Sequence, residues 1–243
     1  MIYKDLGVID YKSAWDYQEE LVSKNREIKT EAREATSYEL QATSGEPATG
    51  IQQLATVNYL LFCEHPAVYT LGKSGSMKNV LLSEQEMEQK EIEFFKTNRG
   101  GDITFHGLQQ IVGYPILDLE NFYTDIGRYL RELEEVIIKT IAEYGLKGER
   151  SKGETGVWID PGVTGKERKI CAMGIRCSRW ITMHGFALNV NTDLSYFENI
   201  IPCGIQNKQV TSIEKELNQK VSFEEVKEKL KKNFSVVFNV EII

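Results

Sequence analysis

Lys169-Ile170-Cys171-Ala172-Met173-Gly174-Ile175-Arg176 has the composition of a strand, and the segments on either side of it decide the fold class. Gly156-Val157-Trp158-Ile159 is a shorter run of the same kind, set apart by the turn formers Asp160-Pro161-Gly162-Val163-Thr164-Gly165. Trp180 to Leu188 carries the strand character onward, so the region reads as a meander of antiparallel strands. Side chains on a strand alternate between faces, which sets Lys169, Cys171, Met173 and Ile175 against Ile170, Ala172, Gly174 and Arg176. Lys169 then begins an otherwise apolar face. Apolar cover disfavours the ammonium form of a lysine, and a nearby thiol can share one proton with it.

Outward from the meander, strands and helices mix without a regular β-α-β alternation, which points to an α+β fold with a mixed, largely antiparallel sheet and packed helices. Ile2 to Ile9 reads as a first strand, and Ser13 as the cap of a helix from Ala14 to about Glu27. Residues 29–50 are polar and end in turn formers, so a flexible loop is expected there. Tyr59 to Cys63 and Ala67 to Leu71 read as two strands of one sheet around a bend at Pro66. Phe94 to Lys96 and Ile111 to Leu117 supply further strands. From Thr124 to Tyr144 the apolar residues Ile126, Tyr129, Leu130, Leu133, Val136, Ile137 and Ile141 follow the spacing of one helical face. A capping box at Ser222 and Glu225 opens a helix to about Lys232, with a final strand expected over Val236 to Ile242.

The chain has 243 residues, 41% hydrophobic and 27% charged, which suits an ordinary soluble globule with a sizeable core. Its net charge of −7 argues against a general affinity for nucleic acid or an anionic membrane. An acidic partner would have to dock on a local basic patch, for which Lys166, Arg168, Lys169, Arg176, Arg179 and Lys208 are candidates. The residues from Met1 to Asp10 lack a basic stretch leading into an apolar run, and no stretch of eighteen apolar residues occurs, so a cytoplasmic protein is expected. Cysteines at 63, 171, 177 and 203 and histidines at 65, 106 and 184 show no metal-site spacing, so no metal is expected.

Two features carry candidate chemistry. Cys203 lies between Pro202, which fixes φ, and Gly204, which permits angles that other residues avoid, so its sulfur suits a nucleophile presented at a turn. Cys63, Cys171 and Cys177 fall within or beside strand patterns and read as packing residues. Arg99-Gly100-Gly101-Asp102-Ile103-Thr104-Phe105-His106-Gly107 joins a cation, a carboxylate, a hydroxyl and an imidazole to glycines that let main-chain donors approach a bound group. It is not a phosphate loop, since neither Gly-x-Gly-x-x-Gly nor Gly-x-x-x-x-Gly-Lys-Ser/Thr is present. His106 and His184 each precede a glycine, and either is a structural histidine or the partner of a cysteine.

Together with Cys63-Glu64-His65-Pro66, Tyr69-Thr70-Leu71-Gly72-Lys73, His184-Gly185-Phe186-Ala187-Leu188-Asn189 and Pro202-Cys203-Gly204, these segments resemble the lipoyl(octanoyl) transferase family over nearly the whole length. The resemblance implies a fold shared with biotin- and lipoate-protein ligases and a single catalytic domain over 1–243. It implies transfer of an octanoyl group from octanoyl-acyl carrier protein to a lysine of lipoyl domains, through a cysteine thioester, as the first step of protein lipoylation. Acceptors would be the lipoyl domains of 2-oxoacid dehydrogenases and the glycine cleavage H protein. By the same resemblance Cys203 is the nucleophile and Lys169 its general base. The acyl group would lie among Arg99, Gly100, Gly101, Asp102, Ile103, Thr104, Phe105 and His106, with Ala172, Met173, Gly174, Gly185, Phe186 and Ala187. No cofactor is implied, and a monomer is expected. The competing expectations are an ATP-dependent lipoate- or biotin-protein ligase, which needs no cysteine, and a catalytically silent domain that only binds lipoyl domains. The chain departs from the family where His-Gly is usually followed by Pro-Gly-Gln, having Leu108-Gln109-Gln110 instead, and has Phe105 where tyrosine is common.

Overall fold

The computed structural model describes residues 1–41, 55–201 and 209–243. The meander is present: β7 (Val157–Ile159), β8 (Arg168–Ser178) and β9 (Ile181–Asn189) pair antiparallel in succession. The sheet continues antiparallel through β6 (Gln110–Ile116) to β2 (Tyr59–Glu64). Parallel pairings close it on both sides, with β1 (Ile2–Val8) on β2 and β10 (Gln209–Val210) on β8. Its order is β1-β2-β6-β9-β8-β10, with β7 also beside β8. A second sheet holds β4 (Glu93–Lys96), β3 (Val68–Leu71) and β5 (Ile103–His106) in the order β4-β3-β5.

Period-two alternation places alternate residues of the large sheet in two cores. Leu60 and Phe62 of β2, Ile111 of β6 and Phe186 and Leu188 of β9 meet the apolar faces of α3 (Ile126–Ala142) and α5 (Phe223–Phe238), joined by Ile213 of the short α4 (Ile213–Leu217). Leu61 and Cys63, Val112 and Tyr114, and Met183 and Ala187 face the other way, under α1 (Tyr11–Gln41). Tyr129, Leu133, Val136, Ile137 and Ile141 of α3 are fully buried, a gross contribution of roughly 10 kcal/mol at about 2 kcal/mol each. The small sheet has its own core around Tyr69, Ile103 and Phe105, closed by Met87 of α2 (Glu84–Gln89). Among the described residues no helix is long and apolar enough to cross a membrane.

Several expectations are corrected. Residues 29–41, expected in a loop, extend α1, while 42–50 lie outside the described residues. The helical face continues beyond Val22 in polar side chains: Asn25 exchanges hydrogen bonds with the backbone of Val57, and the nearly buried Lys29 pairs with Asp118 at 2.7 Å. Its start is capped by Asp10, which accepts from Ser13 N, rather than by Ser13. The segments around Pro66 belong to different sheets, β2 to the large one and β3 to the small one. Val236 to Phe238 finish α5 instead of opening a strand, because Phe234 and Phe238 stack on one helical face at 4.3 Å. Beyond Asn239, which ends the helix at φ 51, Ile243 binds the backbone of Met1 and Tyr3.

Two of the six residues of the expected basic patch are paired with carboxylates. Arg168 binds Asp160 and Glu216, and Arg176 binds Glu19. Lys208 lies outside the described residues.

Candidate active site

A narrow cleft with a cavity volume of about 100 Å³ opens where α1, the centre of the large sheet and the small sheet meet. Among the expected residues it is lined by Arg99, Gly101, Asp102, Ile103, Thr104, His106, Lys169, Ala172, Met173, Gly174, Gly185, Phe186 and Ala187. Two expected residues are elsewhere. Gly100 donates its N–H to the carbonyl of Ile175, and the Phe105 ring lies in the small-sheet core, stacked on Tyr196 at 4.5 Å. Cys203 falls outside the described residues, but Phe197 and Val210 on either side of its segment line the cleft.

Lys169 reaches the cleft because β8 does not keep strict alternation. Val157 pairs with Cys171 and Trp158 with Lys169, so one residue of β8, Ile170, is extra at this point. Such a bulge re-aims the side chains beyond it. Ile170 and Cys171 therefore both enter the core beneath α3, whereas Lys169 shares the cleft with Ala172 and Gly174. This corrects the face assignment read from simple alternation. Its Nζ stands 4.6 Å from the centre of the Trp158 ring, and the N–H of Thr211 binds its carbonyl at 2.9 Å.

The glycines keep the walls close. A side chain on Gly174 would place Cβ 2.6 Å from the carbonyl oxygen of Gly100, so the glycine-rich segment can lie directly against β8. Gly101 has φ +87, a conformation only glycine adopts without strain.

Behind this wall runs a buried hydrogen-bond relay. Arg99 Nη2 donates to Thr70 Oγ1 at 3.0 Å, and Thr70 Oγ1 lies 3.3 Å from His106 Nε2. His106 Nδ1 is 2.8 Å from Gln110 Oε1, so Nδ1 carries the proton and Nε2 accepts from Thr70. Gln110 Nε2 donates to Asn189 Oδ1 at 2.8 Å and to the Phe105 carbonyl, and Asn189 Nδ2 donates to the Thr211 carbonyl. The relay thus links the glycine-rich segment through β6 and β9 to the residue that follows β10. Burial, reinforced by His65 and the Arg99 cation, holds His106 well below the usual histidine range and therefore neutral. His65, between the Ile9 carbonyl and the Tyr114 hydroxyl, is pushed down to about 4 by burial, and His184, on Asn98 Oδ1, to about 3. All three read as structural imidazoles, and none as a base waiting for a proton.

The departure at Leu108-Gln109 preserves the turn. Gln109 adopts φ +61, a left-handed conformation natural for glycine. It is held there because Glu64 accepts its N–H at 2.6 Å, and its carbonyl takes hydrogen bonds from Asn191 N and Thr192 Oγ1. Glu64 of the Cys-Glu-His-Pro segment thereby acquires a structural role.

The sequence reading missed Tyr11, Gln110, Val112, Tyr114, Thr155 and Asn189 on the cleft. Alternation along β6 carries a signal for Gln110, Val112 and Tyr114, which share one face. Tyr11 has no local signature, since it reaches the cleft only through the docking of α1. Among the described residues no group of three or more His, Cys, Asp or Glu side chains converges as a metal site would require.

A family model described as the lipoyl protein ligase A/B catalytic domain matches residues 10–235. The octanoyltransferase of Christiangramia forsetii is 56% identical over 240 residues, covering 98% of this chain and 96% of that protein. That of Flavobacterium johnsoniae is 58% identical over 241 residues, covering 99% and 97%. Among solved structures, the chain is similar to a bi-partite lipoate protein ligase from Thermoplasma acidophilum, with TM-score 0.58 and 19% identity over 76% of this chain and 73% of that one. It is also similar to P. falciparum LipL1 in complex with lipoate, with TM-score 0.65 and 10% identity over 97% of this chain and 61% of that one. At such identities the structural likeness speaks for the fold alone, and it is the ligase fold anticipated from the motifs. The family model and the close relatives together settle membership: the chain belongs to the lipoyl protein ligase A/B catalytic domain family and stands among its octanoyltransferases.

Proposed function

We propose that this protein transfers an octanoyl group from octanoyl-acyl carrier protein to a lysine of a lipoyl domain, as one catalytic unit, with Cys203 as nucleophile and Lys169 as its proton acceptor. The observation that carries the reading is the β8 bulge, which turns Lys169 off the core face and into an apolar cleft bordered by the residues flanking the Cys203 segment. Lys169 Nζ takes the proton of Cys203, and the thiolate attacks the octanoyl carbonyl. The tetrahedral intermediate collapses by breaking the carbon–sulfur bond to the carrier, whose thiol leaves with the proton held by Lys169. An octanoyl-enzyme thioester remains. The lipoyl-domain lysine amine then attacks this thioester, forming an amide and returning the proton to Cys203. The first step exchanges one thioester for another, and the second converts a thioester into the more stable amide, so the sequence runs without ATP.

The cleft suits the acyl tail. Ala172, Ala187 and Gly185 leave room along the sheet, with Val112 and Phe186 beside them. Burying most of an eight-carbon chain contributes roughly 5 kcal/mol at ~0.8 kcal/mol per methylene. Because the N–H of Gly100 is already bound to Ile175, stabilisation of the oxyanion falls to other backbone donors, in this segment or beside Gly174.

The test is transfer without ATP. Purified protein, octanoyl-acyl carrier protein and an isolated lipoyl domain are mixed, and the lipoyl domain is weighed by mass spectrometry. An octanoyl gain that is abolished by Cys203→Ser supports the reading. Transfer only from free octanoate and ATP would replace it with a ligase, and binding with no transfer under either condition would replace it with a silent domain.

A further inference from the structure

We propose that Trp158 is a positioning residue for the reaction, seating the Lys169 side chain at the cleft and favouring the thiolate and ammonium pair that forms when Lys169 takes the proton of Cys203. The inference rests on the reading of Lys169 as the proton acceptor of Cys203, and adds a residue that no motif of the family singled out.

Trp158 is the direct cross-strand partner of Lys169 across β7 and β8, and its ring lies 4.6 Å from the lysine Nζ. The same bulge that turns Lys169 into the cleft brings the two side chains onto one face. Val157 and Ile159, the residues on either side, point into the core. The Trp158 backbone is also fixed from its other edge, exchanging hydrogen bonds of 2.9 and 2.8 Å with Glu149. With Trp158 2% exposed, its ring is a largely desolvated surface. The negative face of an indole attracts an ammonium and has no such attraction for a neutral amine, and the effect grows when water is excluded. When the S–H bond of Cys203 breaks and the N–H bond on Lys169 forms, the charge that appears on nitrogen appears over this ring. Trp158 therefore favours the thiolate and ammonium pair over the thiol and amine pair, and fixes where the ammonium stands when the carrier thiol must be protonated.

The experiment reads the thiolate directly. The rate of Cys203 alkylation by iodoacetamide is measured at pH 7.5 by peptide mass spectrometry for wild type, Trp158→Leu, Trp158→Phe, Lys169→Ala and the Trp158→Leu/Lys169→Ala double variant. Loss of the ring is expected to slow alkylation about fivefold, with phenylalanine between leucine and wild type. In the Lys169→Ala background Trp158→Leu is expected to have no further effect, whereas a ring that merely fills space would slow both backgrounds alike. Alkylation of the buried Cys63 and Cys171 reports any general loosening, in which case Trp158→Phe decides. Unchanged rates in both Trp158 variants, with Lys169→Ala slowed, would overturn the role of Trp158 and leave the cysteine and lysine reading intact. An unchanged rate in Lys169→Ala would remove that reading and this inference with it.

Discussion

Replacing Gln110 by leucine tests the buried relay most sharply, because the two side chains are similar in size and the glutamine is almost fully buried. Gln110 is 1% exposed and holds three groups at once: the His106 Nδ1 proton, Asn189 Oδ1 and the Phe105 carbonyl. Leucine would orphan all three. Each unsatisfied buried group costs about 1–3 kcal/mol, and the leucine side chain returns about 1–2 kcal/mol of apolar burial, so the net loss should be about 4–5 kcal/mol. Asn189→Leu orphans the Thr211 carbonyl and takes one of the two acceptors from Gln110 Nε2, for a loss of about 2 kcal/mol. The double variant removes both ends of the Gln110–Asn189 bond, so one orphan present in the single-variant sum disappears. Its loss should fall short of additivity by about 1–2 kcal/mol. Equilibrium urea unfolding at pH 7.5 gives all three values. A loss under 1 kcal/mol for Gln110→Leu, or strict additivity in the double variant, would refute the relay.

Gln109→Gly should change stability by less than about 1 kcal/mol, since relief of the left-handed strain is offset by the lost bond to Asn191 Nδ2, whereas Gln109→Val should cost more than about 2 kcal/mol; thermal unfolding decides. His65, His106 and His184 have folded-state values depressed below the unfolded value near 6.5, so the unfolded chain binds more protons in the interval between them. Stability should then be fully present above about pH 6.5 and fall as the pH drops toward about 4 and 3, and His65→Asn should flatten that fall in a pH series of urea midpoints. Lys29→Ala strands the buried Asp118 carboxylate and should cost about 3–5 kcal/mol, while Lys29→Met/Asp118→Asn should recover part of the loss in the same unfolding assay.

What was legible in the chain was whatever apolar periodicity writes. The meander and the face of α3 both rest on alternating or helical spacing of Val, Ile, Leu and Phe. The continuation of α1 was hidden because the buried positions of its face beyond Val22 carry Asn25 and Lys29, whose partners Val57 and Asp118 are remote in sequence. The β8–β9 turn was equally silent. Arg179 and Trp180 take φ 53 and 65 in a turn that glycine or asparagine usually makes, while their carbonyls accept from Lys29 and Leu119. At the site, motif residues identified both the glycine-rich wall and the strand that bears Lys169. The bulge that aims this lysine, and the Trp158 ring beneath it, follow from register and not from any local pattern.

The most direct measurement is the intact mass of the protein after mixing with octanoyl-acyl carrier protein, without ATP and without an acceptor. The account predicts an added octanoyl group on wild type that hydroxylamine removes, with no such adduct on Cys203→Ser and a strongly slowed one on Lys169→Ala. An adduct that resists hydroxylamine, persists in Cys203→Ser, or forms only when ATP is supplied would contradict it.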